Sequence, residues 1–310
     1  MSAAATLLVP AARRPGFVTR FFGGRFFAVS VVVIAIIVVW YLGAMLLDGP
    51  FQRDLDQRRG ATVSPMTFIA ETLNQKKPTL PSPHQVAIET YRSTVLANPT
   101  KPSSLIFHAW VTLYSTLVGF VSGTLFGILL AVGIVHVKSL DKSLMPWIIS
   151  SQTIPILAIA PMVIVVLAAV GVTGLIPKAL ISTYLSFFPV TVGMVKGLRS
   201  PAPINLDLMR TYHASRWQVL WKLRLPASLP FLFTSMKVAV AAALVGAIVA
   251  ELPTGAVAGI GAKLLVGSYY SQSVQMWAAL VVGSVMAALL VVAVGIVEHV
   301  VTRRMGARPA

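Results

Sequence analysis

Hydrophobic residues in this chain come in long blocks separated by short polar or charged stretches. Six blocks, at about 26–47, 105–136, 144–170, 175–196, 228–250 and 276–297, stand out. Each reaches the roughly 20 residues that a helix rising 1.5 Å per residue needs to cross a hydrocarbon core of about 30 Å. The pattern predicts an all-α polytopic membrane protein with about six transmembrane helices. The second block is longer than required, which predicts tilt or first turns outside the bilayer. Pro155 and Pro161 in the third block, and Pro177 and Pro189 in the fourth, mark less regular spans. Such breaks are tolerated where neighbouring helices or a cavity satisfy the freed carbonyls.

Composition agrees with the pattern. Of the 310 residues, 56% are hydrophobic and 11% charged, against roughly a quarter charged in a soluble domain. Cysteine is absent, which excludes disulfides and thiolate metal sites. The five histidines have no metal-ligand spacing, so neither a metal site nor a catalytic constellation is expected. A net charge of +16 suggests nucleic acid in a soluble protein, but here the basic residues flank the apolar blocks and follow the positive-inside rule.

Six spans put both termini on one side. The segments on that side hold Arg13, Arg14, Arg20, Arg25, Lys138, Lys142, Lys196, Arg199, Arg210, Arg216, Lys222, Arg224, Arg303, Arg304 and Arg308, against the acids Asp141, Asp207 and Glu298. That side is therefore expected to be cytoplasmic. The first block is too long for a signal-peptide core and no cleavage site follows it, so it reads as an uncleaved helix. The expected organisation is a cytoplasmic tail (1–25), a first transmembrane helix (26–47), an external segment (48–104), a core (105–300) and a cytoplasmic tail (301–310). Within the external segment, FQRDLDQRRG is expected to be charged and mobile. After LPSP (80–83), residues 84–97 fit either a short helix along the membrane surface or a plain linker.

The stretch DLMRTYHASRWQVLWKLRLP (207–226) forms a charged, amphipathic island between two spans. Asn205 is a candidate N-cap for a helix over 206–212. Ser215 followed by Gln218 fits a capping box that starts a second helix near Arg216 and ends it before Pro226. Leu208, Met209 and Tyr212 can share one face, as can Trp217, Leu220 and Trp221. Physics alone leaves two readings open: an interfacial helix pair resting on lipid headgroups, or a docking surface for a cytoplasmic partner.

The island resembles the EAA loop of ABC-importer permeases: Glu-Ala-Ala, three residues, Gly, nine residues, an aliphatic, any residue, Leu-Pro. Asp207, Leu208 and Met209 fall on the Glu-Ala-Ala positions, His213 on the glycine, Leu223 on the aliphatic, and Leu225 and Pro226 close the motif. Spacing is intact, while Leu208, Met209 and His213 depart from consensus. The glycine serves a helix-ending bend where positive φ is cheap; His213 can adopt it at a cost of about 1–2 kcal/mol. Further stretches, HAWVTLYSTLVGFVSGTLFGILLAVGI (108–134), QTIPILAIAPM (152–162) and FFPVTVGMVKGLRS (187–200), are similar to permeases of the nitrate, sulfonate and taurine type.

That resemblance implies a type I ABC importer permease fold in a bacterial inner membrane. It implies a coupling loop at 200–226 in which Asp207, Leu208, Met209, His213, Ala214, Ser215, Arg216, Leu225 and Pro226 meet an ATPase. The chain has no G-x-x-x-x-G-K-[ST] loop, since GIGAK (259–263) fails the spacing. ATP and Mg are therefore expected on separate subunits, with no cofactor and no enzyme activity in this chain. The implied partners are two ATP-binding cassette ATPase subunits, a second permease copy and an external solute-binding protein, with membrane lipid around and no nucleic acid.

Other positions carry two readings each. Gly119, Gly123 and Gly127 line one face of the second span and allow close helix contact. Gln152, among Ser150, Ser151 and Thr153, fits a pathway lining or a polar group satisfied by nearby backbone. Glu251 stands where the resemblance places a glutamate and is a second pathway candidate. Lys237 is expected to snorkel to headgroups, and Lys178 to anchor at an interface. The rival function is a stand-alone secondary transporter, against which count the small number of spans and the scarcity of mid-membrane ionisable residues.

Overall fold

The computed structural model describes residues 25–60, 63–253, 256 and 258–305. The N-terminal tail, up to residue 24, and the end of the C-terminal tail, 306–310, lie outside them. Among the described residues the structure is helical throughout and forms two compact units, Met1–Gln85 and Val86–Ala310.

In the first unit, α1 (Arg25–Arg59) runs well past the apolar block. The stretch expected to be mobile, 51–60, is therefore helical up to Arg59. Asp48, Gln52 and Asp56 recur four apart and form one buried polar seam on the helix. Asp48 accepts from the backbone N–H groups of Thr79 (2.5 Å) and Leu80 (3.4 Å). The Gln52 amide donates to Asp56 (3.0 Å) and to Glu71 (2.8 Å) on α2 (Pro65–Leu73). Gln75 donates to the Asp48 carbonyl, and the Trp40 indole to the Pro81 carbonyl. The chain after α1 thus folds back on buried hydrogen bonds, where sequence shows only a polar segment. Of the two readings of the stretch after LPSP, helix and linker, the structure has the helix, α3 (Pro83–Tyr91), continued by a π-turn at Arg92–Leu96.

The second unit is built on α7 (Leu175–Leu198), which packs along both α4 (Leu105–His136) and α10 (Leu225–Glu251). Small residues set both contacts. A Cβ at Gly119, Gly123 or Gly127 of α4 would run into Ser182, Ser186 or Val190 of α7. This is the close approach expected of the glycine stripe. Across the seam, the Ser186 and Thr183 hydroxyls donate to the Gly119 carbonyl at 3.2 and 3.3 Å. On the other side of α7, Gly193 and Gly197 meet Ser235 and Ser228 of α10, while Gly246 of α10 meets Ser182. The last helix, α12 (Ser273–Arg304), covers α10 and the short α11 (Ile260–Tyr269).

The third apolar block is not one straight helix. It forms α5 (Lys138–Ser151) and α6 (Ile156–Ala169), bent by 99° at the break. Pro155 clashes with helical backbone at Ile154 and supplies no N–H, so the helix stops there. The Tyr184 hydroxyl donates to the freed Ser151 carbonyl, and the Thr153 hydroxyl to that of Ser150. Among the described residues, five helices are long and apolar enough to cross a membrane, or six if the bent pair counts as one span.

Packing of this kind makes a matched test. Gly123→Leu should destabilise the protein by about 1–3 kcal/mol or more, because the new side chain meets the backbone of α7. Gly133→Ala, whose Cβ meets only a Leu140 methyl at 3.4 Å, should leave stability unchanged or slightly higher. Thermal unfolding in detergent, followed by tryptophan fluorescence, checks the pair; equal melting temperatures would contradict this packing.

Candidate functional site

The island folds as α8 (Pro203–Thr211), α9 (Arg216–Val219) and a π-turn at Leu220–Arg224 that runs directly into α10. Two expectations change here. Ala202, not Asn205, precedes the first helix, with Pro203 in its first turn, where the missing N–H costs nothing. Pro226 does not stop the second helix either. It lies in the first turn of α10, just past the π-turn, so the break in hydrogen bonding falls where proline is tolerated. Arg216–Glu251 is consequently one element of 36 residues.

The bend between α8 and α9 is resolved to the atom. His213, on the motif's glycine position, has φ 50°. Its N–H donates to the Arg210 carbonyl (2.9 Å), and the Ala214 N–H to the Met209 carbonyl (3.0 Å). These are the two bonds of a Schellman turn, which ordinarily places glycine at the left-handed position. Ser215 then opens α9 with the full capping box: its hydroxyl accepts from the Gln218 N–H, and Gln218 accepts from the Ser215 N–H. The departure from consensus at His213 thus changes the residue and keeps the bend.

What the bend presents is apolar and open. Ile204 and Leu208 on α8 and Tyr212 at its C-cap, four apart in sequence, are all exposed, as are Trp217 and Trp221. Met209 and Ala214 are half-buried, and Asp207 pairs with Arg210 at 2.9 Å on the surface. Ile204 is a member of this stripe that sequence reading missed, although its spacing from Leu208 carries the signal. Leu220 leaves the tryptophan face: it is 2% exposed and joins a core of Ile134, Ile148, Met194 and Leu198, with Leu225 packed against it. Arg224 donates to the Leu198 carbonyl (2.9 Å), and the Trp217 ring stacks on His136 at 6.3 Å. The island is therefore a fixed surface fastened to the ends of α4 and α7.

At the far end of α10 lies a buried charge cluster. Glu251 has no exposed surface. Its carboxylate accepts from the Thr112 hydroxyl (3.0 Å), the Gly261 N–H (2.9 Å) and Lys178, at 3.4 Å. The backbone entering α11 is held at every step. The Gly259 N–H donates to His108 Nδ1 (2.9 Å), and the Ile260 N–H to Thr112 (2.8 Å). Lys178 donates to the Ala258 carbonyl at 3.3 Å. Nδ1 accepts, so His108 carries its proton on Nε2, which donates to the Pro102 carbonyl (2.9 Å). Glycine is required at 259 and 261, since a Cβ there would strike Glu251 and the Ile248 carbonyl.

This cluster revises two readings. Lys178, expected as an interface anchor, is instead buried against Glu251, whose carboxylate compensates its charge. Lys237 pairs with Glu298 of α12 instead of extending alone to the headgroups. Glu251 itself is enclosed by Thr112, Lys178 and Gly261, while Gln152 is exposed at the α5–α6 break. The side-chain partners of Glu251, Lys178 and Thr112, come from 73 and 139 residues away. The spacing of His108 and Thr112, four apart near the start of an apolar span, was the one local hint.

Removing one member of the buried pair should cost more than removing both. Lys178→Met is expected to lower stability by about 3–5 kcal/mol, and the double variant Lys178→Met/Glu251→Gln to recover much of that loss. Unfolding of the detergent-solubilised variants gives the comparison; an additive double variant would show that the two charges are independent.

Residues 123–307 match the family described as the binding-protein-dependent transport system inner membrane component. The chain is 33% identical over 175 residues to a probable ABC transporter permease protein of Haemophilus influenzae, covering 56% of this chain and 69% of that protein. It is 29% identical to the riboflavin transport system permease protein RibX of Chloroflexus aurantiacus, over 72% of this chain and 80% of RibX. With the formylaminopyrimidine transport permease protein ThiX of Halalkalibacterium halodurans it shares 31% identity, over 59% and 68%. The matched region carries Gly123 and Gly127 of the glycine seam, the broken α5–α6 pair, the capped island and the long α10, and the chain belongs to the family of inner-membrane permease components of ABC importers.

Proposed function

We propose that this permease moves a small solute into the cytoplasm by alternating access, driven by two separate ATPase subunits that dock on the α8–α9 island. The observation that carries the reading is the exposed apolar stripe of Ile204, Leu208 and Tyr212 beside a bend fixed by two backbone hydrogen bonds and a capping box. A rigid projection with an apolar face suits a cleft on a soluble partner, where a few well-packed residues dominate affinity. Asp207, Leu208, Met209, His213, Ala214, Ser215 and Arg216 form the contact in this reading, and Leu225 and Pro226 carry its displacement into α10. Two ATPases need two islands, and a second copy of this chain supplies the other most simply. An external solute-binding protein delivers the solute, a small anion such as a sulfonate, taurine or nitrate, or a vitamin precursor. Gln152 and Glu251 are proposed to border its path.

Replacing Ala214 with Glu puts a charge into that contact without touching any span. The variant should insert normally, lose uptake and release or uncouple the ATPase. Uptake at the parental rate in normally inserted protein would remove the island from the mechanism.

Orientation has its own test, because the chain contains no cysteine. Arg210→Cys should be shielded from an impermeant thiol reagent applied to intact cells, and Arg53→Cys labelled. Labelling of both would overturn the cytoplasmic placement of the island.

A further inference from the structure

At the end of the second unit opposite the island, α11 is gripped on one side by the Glu251 cluster and turns Lys263 into a separate polar cavity. The cavity has a volume of about 160 Å³ and is bounded by Glu89, Ser93, Ser103, Lys263 and Gln275 over an apolar floor of Leu105 and Ala278. Glu89 and Lys263 are both half-buried, and neither forms an ion pair among the described residues. Two residues of opposite charge thus line one small cavity without pairing among the described residues.

The walls are preformed. Glu89 lies on α3, and the turn after it is held by the Ser104 hydroxyl, which donates to the Ser93 carbonyl at 3.2 Å. Ser104 caps α4 in the same contact, accepting from the Ile106 N–H. Leu105 and Ala278 are buried, at 4% and 0% exposure. Lys263 is carried by a helix whose entry is fixed by His108, Thr112, Lys178 and Glu251. Half-buried charges lose hydration without gaining a partner, so a ligand that returns both partners at once is favoured over one that returns either.

We propose that this cavity is a binding site for a small zwitterion, with the ligand's anionic group on Lys263, its ammonium on Glu89, and the Gln275 amide beside them. A simple anion of the same size pairs Lys263 but sits next to the Glu89 carboxylate, and like charges so placed are strongly disfavoured. The volume is below the roughly 300–1,000 Å³ of sites for drug-sized molecules, which restricts the ligand to the size of a small amino acid. The site would lie beside the solute path of the proposed importer, yet binding to it requires neither ATP nor an ATPase.

The test uses the full-length chain in lipid nanodiscs and calorimetry with three matched probes: β-alanine, 3-hydroxypropionate and propylamine. β-Alanine should bind at least about tenfold more tightly than either single-charge analogue. Glu89→Gln and Lys263→Met should each remove that preference, and the exchange Glu89→Lys/Lys263→Glu should restore it with the ligand reversed. Glu89→Gln keeps the size of the side chain, so it remains informative if Lys263→Met folds poorly. Equal affinity for the three probes, no binding of β-alanine, or a preference unchanged in Glu89→Gln would overturn the proposal. Because no ATPase is present, any of these results leaves the uptake reading to its own experiments.

Discussion

The second unit depends on how closely α4 and α10 approach α7. Helices in lipid gain little from hydrophobic burial against one another, so contact has to come from packing and from hydrogen bonds between backbones. Glycine and serine provide both here. Gly119, Gly123 and Gly127 bring α4 near enough for serine and threonine hydroxyls of α7 to reach a carbonyl of α4. Gly193, Gly197 and Gly246 bring α7 and α10 into similarly close packing, there without a hydroxyl bond across the seam among the described residues. With the central helix held from both sides, its two ends become fixed points. One end supports the island through Leu198 and Arg224; the other delivers Lys178 to Glu251.

Those fixed points explain how buried charge is accommodated. A carboxylate at the C-terminus of α10 faces the unfavourable end of that helix's dipole. The same carboxylate accepts from the Gly261 N–H in the first turn of α11, the favourable end of another dipole, and it has Lys178 and Thr112 in reach. Desolvating the pair is costly, and the compensation comes from the number and geometry of its partners rather than from the ion pair alone. The result is positional: three consecutive backbone N–H groups, at 259–261, are committed to side chains of α4 and α10.

Local rules carried far into this fold, and their failures have physical causes. The glycine stripe, the capping box at Ser215 and the positive φ at His213 are set by neighbours a few residues away, and each was readable in sequence. Pro155 announced a break but not its angle, which depends on how α5 and α6 pack against other helices. Pro226 was misread as a stop because a π-turn shifts the hydrogen-bond register just ahead of it, and no local pattern marks such a turn. The polar seam of Asp48, Gln52 and Asp56 reads in sequence only as part of a charged stretch, because the segment that covers it lies some 20 to 30 residues on. Lys178 and Glu251 meet only after three helices assemble, so their pairing had no sequence signal.

The continuity of Arg216–Glu251 gives the proposed coupling a physical route. A helical element of 36 residues is about 50 Å long at 1.5 Å per residue. One end is the capped bend of the island, and the other is the carboxylate that holds α11. A displacement of the island therefore cannot be absorbed by a loop, because none lies between it and the span. It has to be taken up by the π-turn at Leu220–Arg224, where hydrogen bonding departs from the α pattern, or passed along α10. Leu220 is buried in the core at that turn and Arg224 is tied to α7, so the turn is braced on two sides. In the proposed coupling this bracing favours transmission, with movement at His213 passed along α10 to the α7–α10 seam rather than taken up within the island.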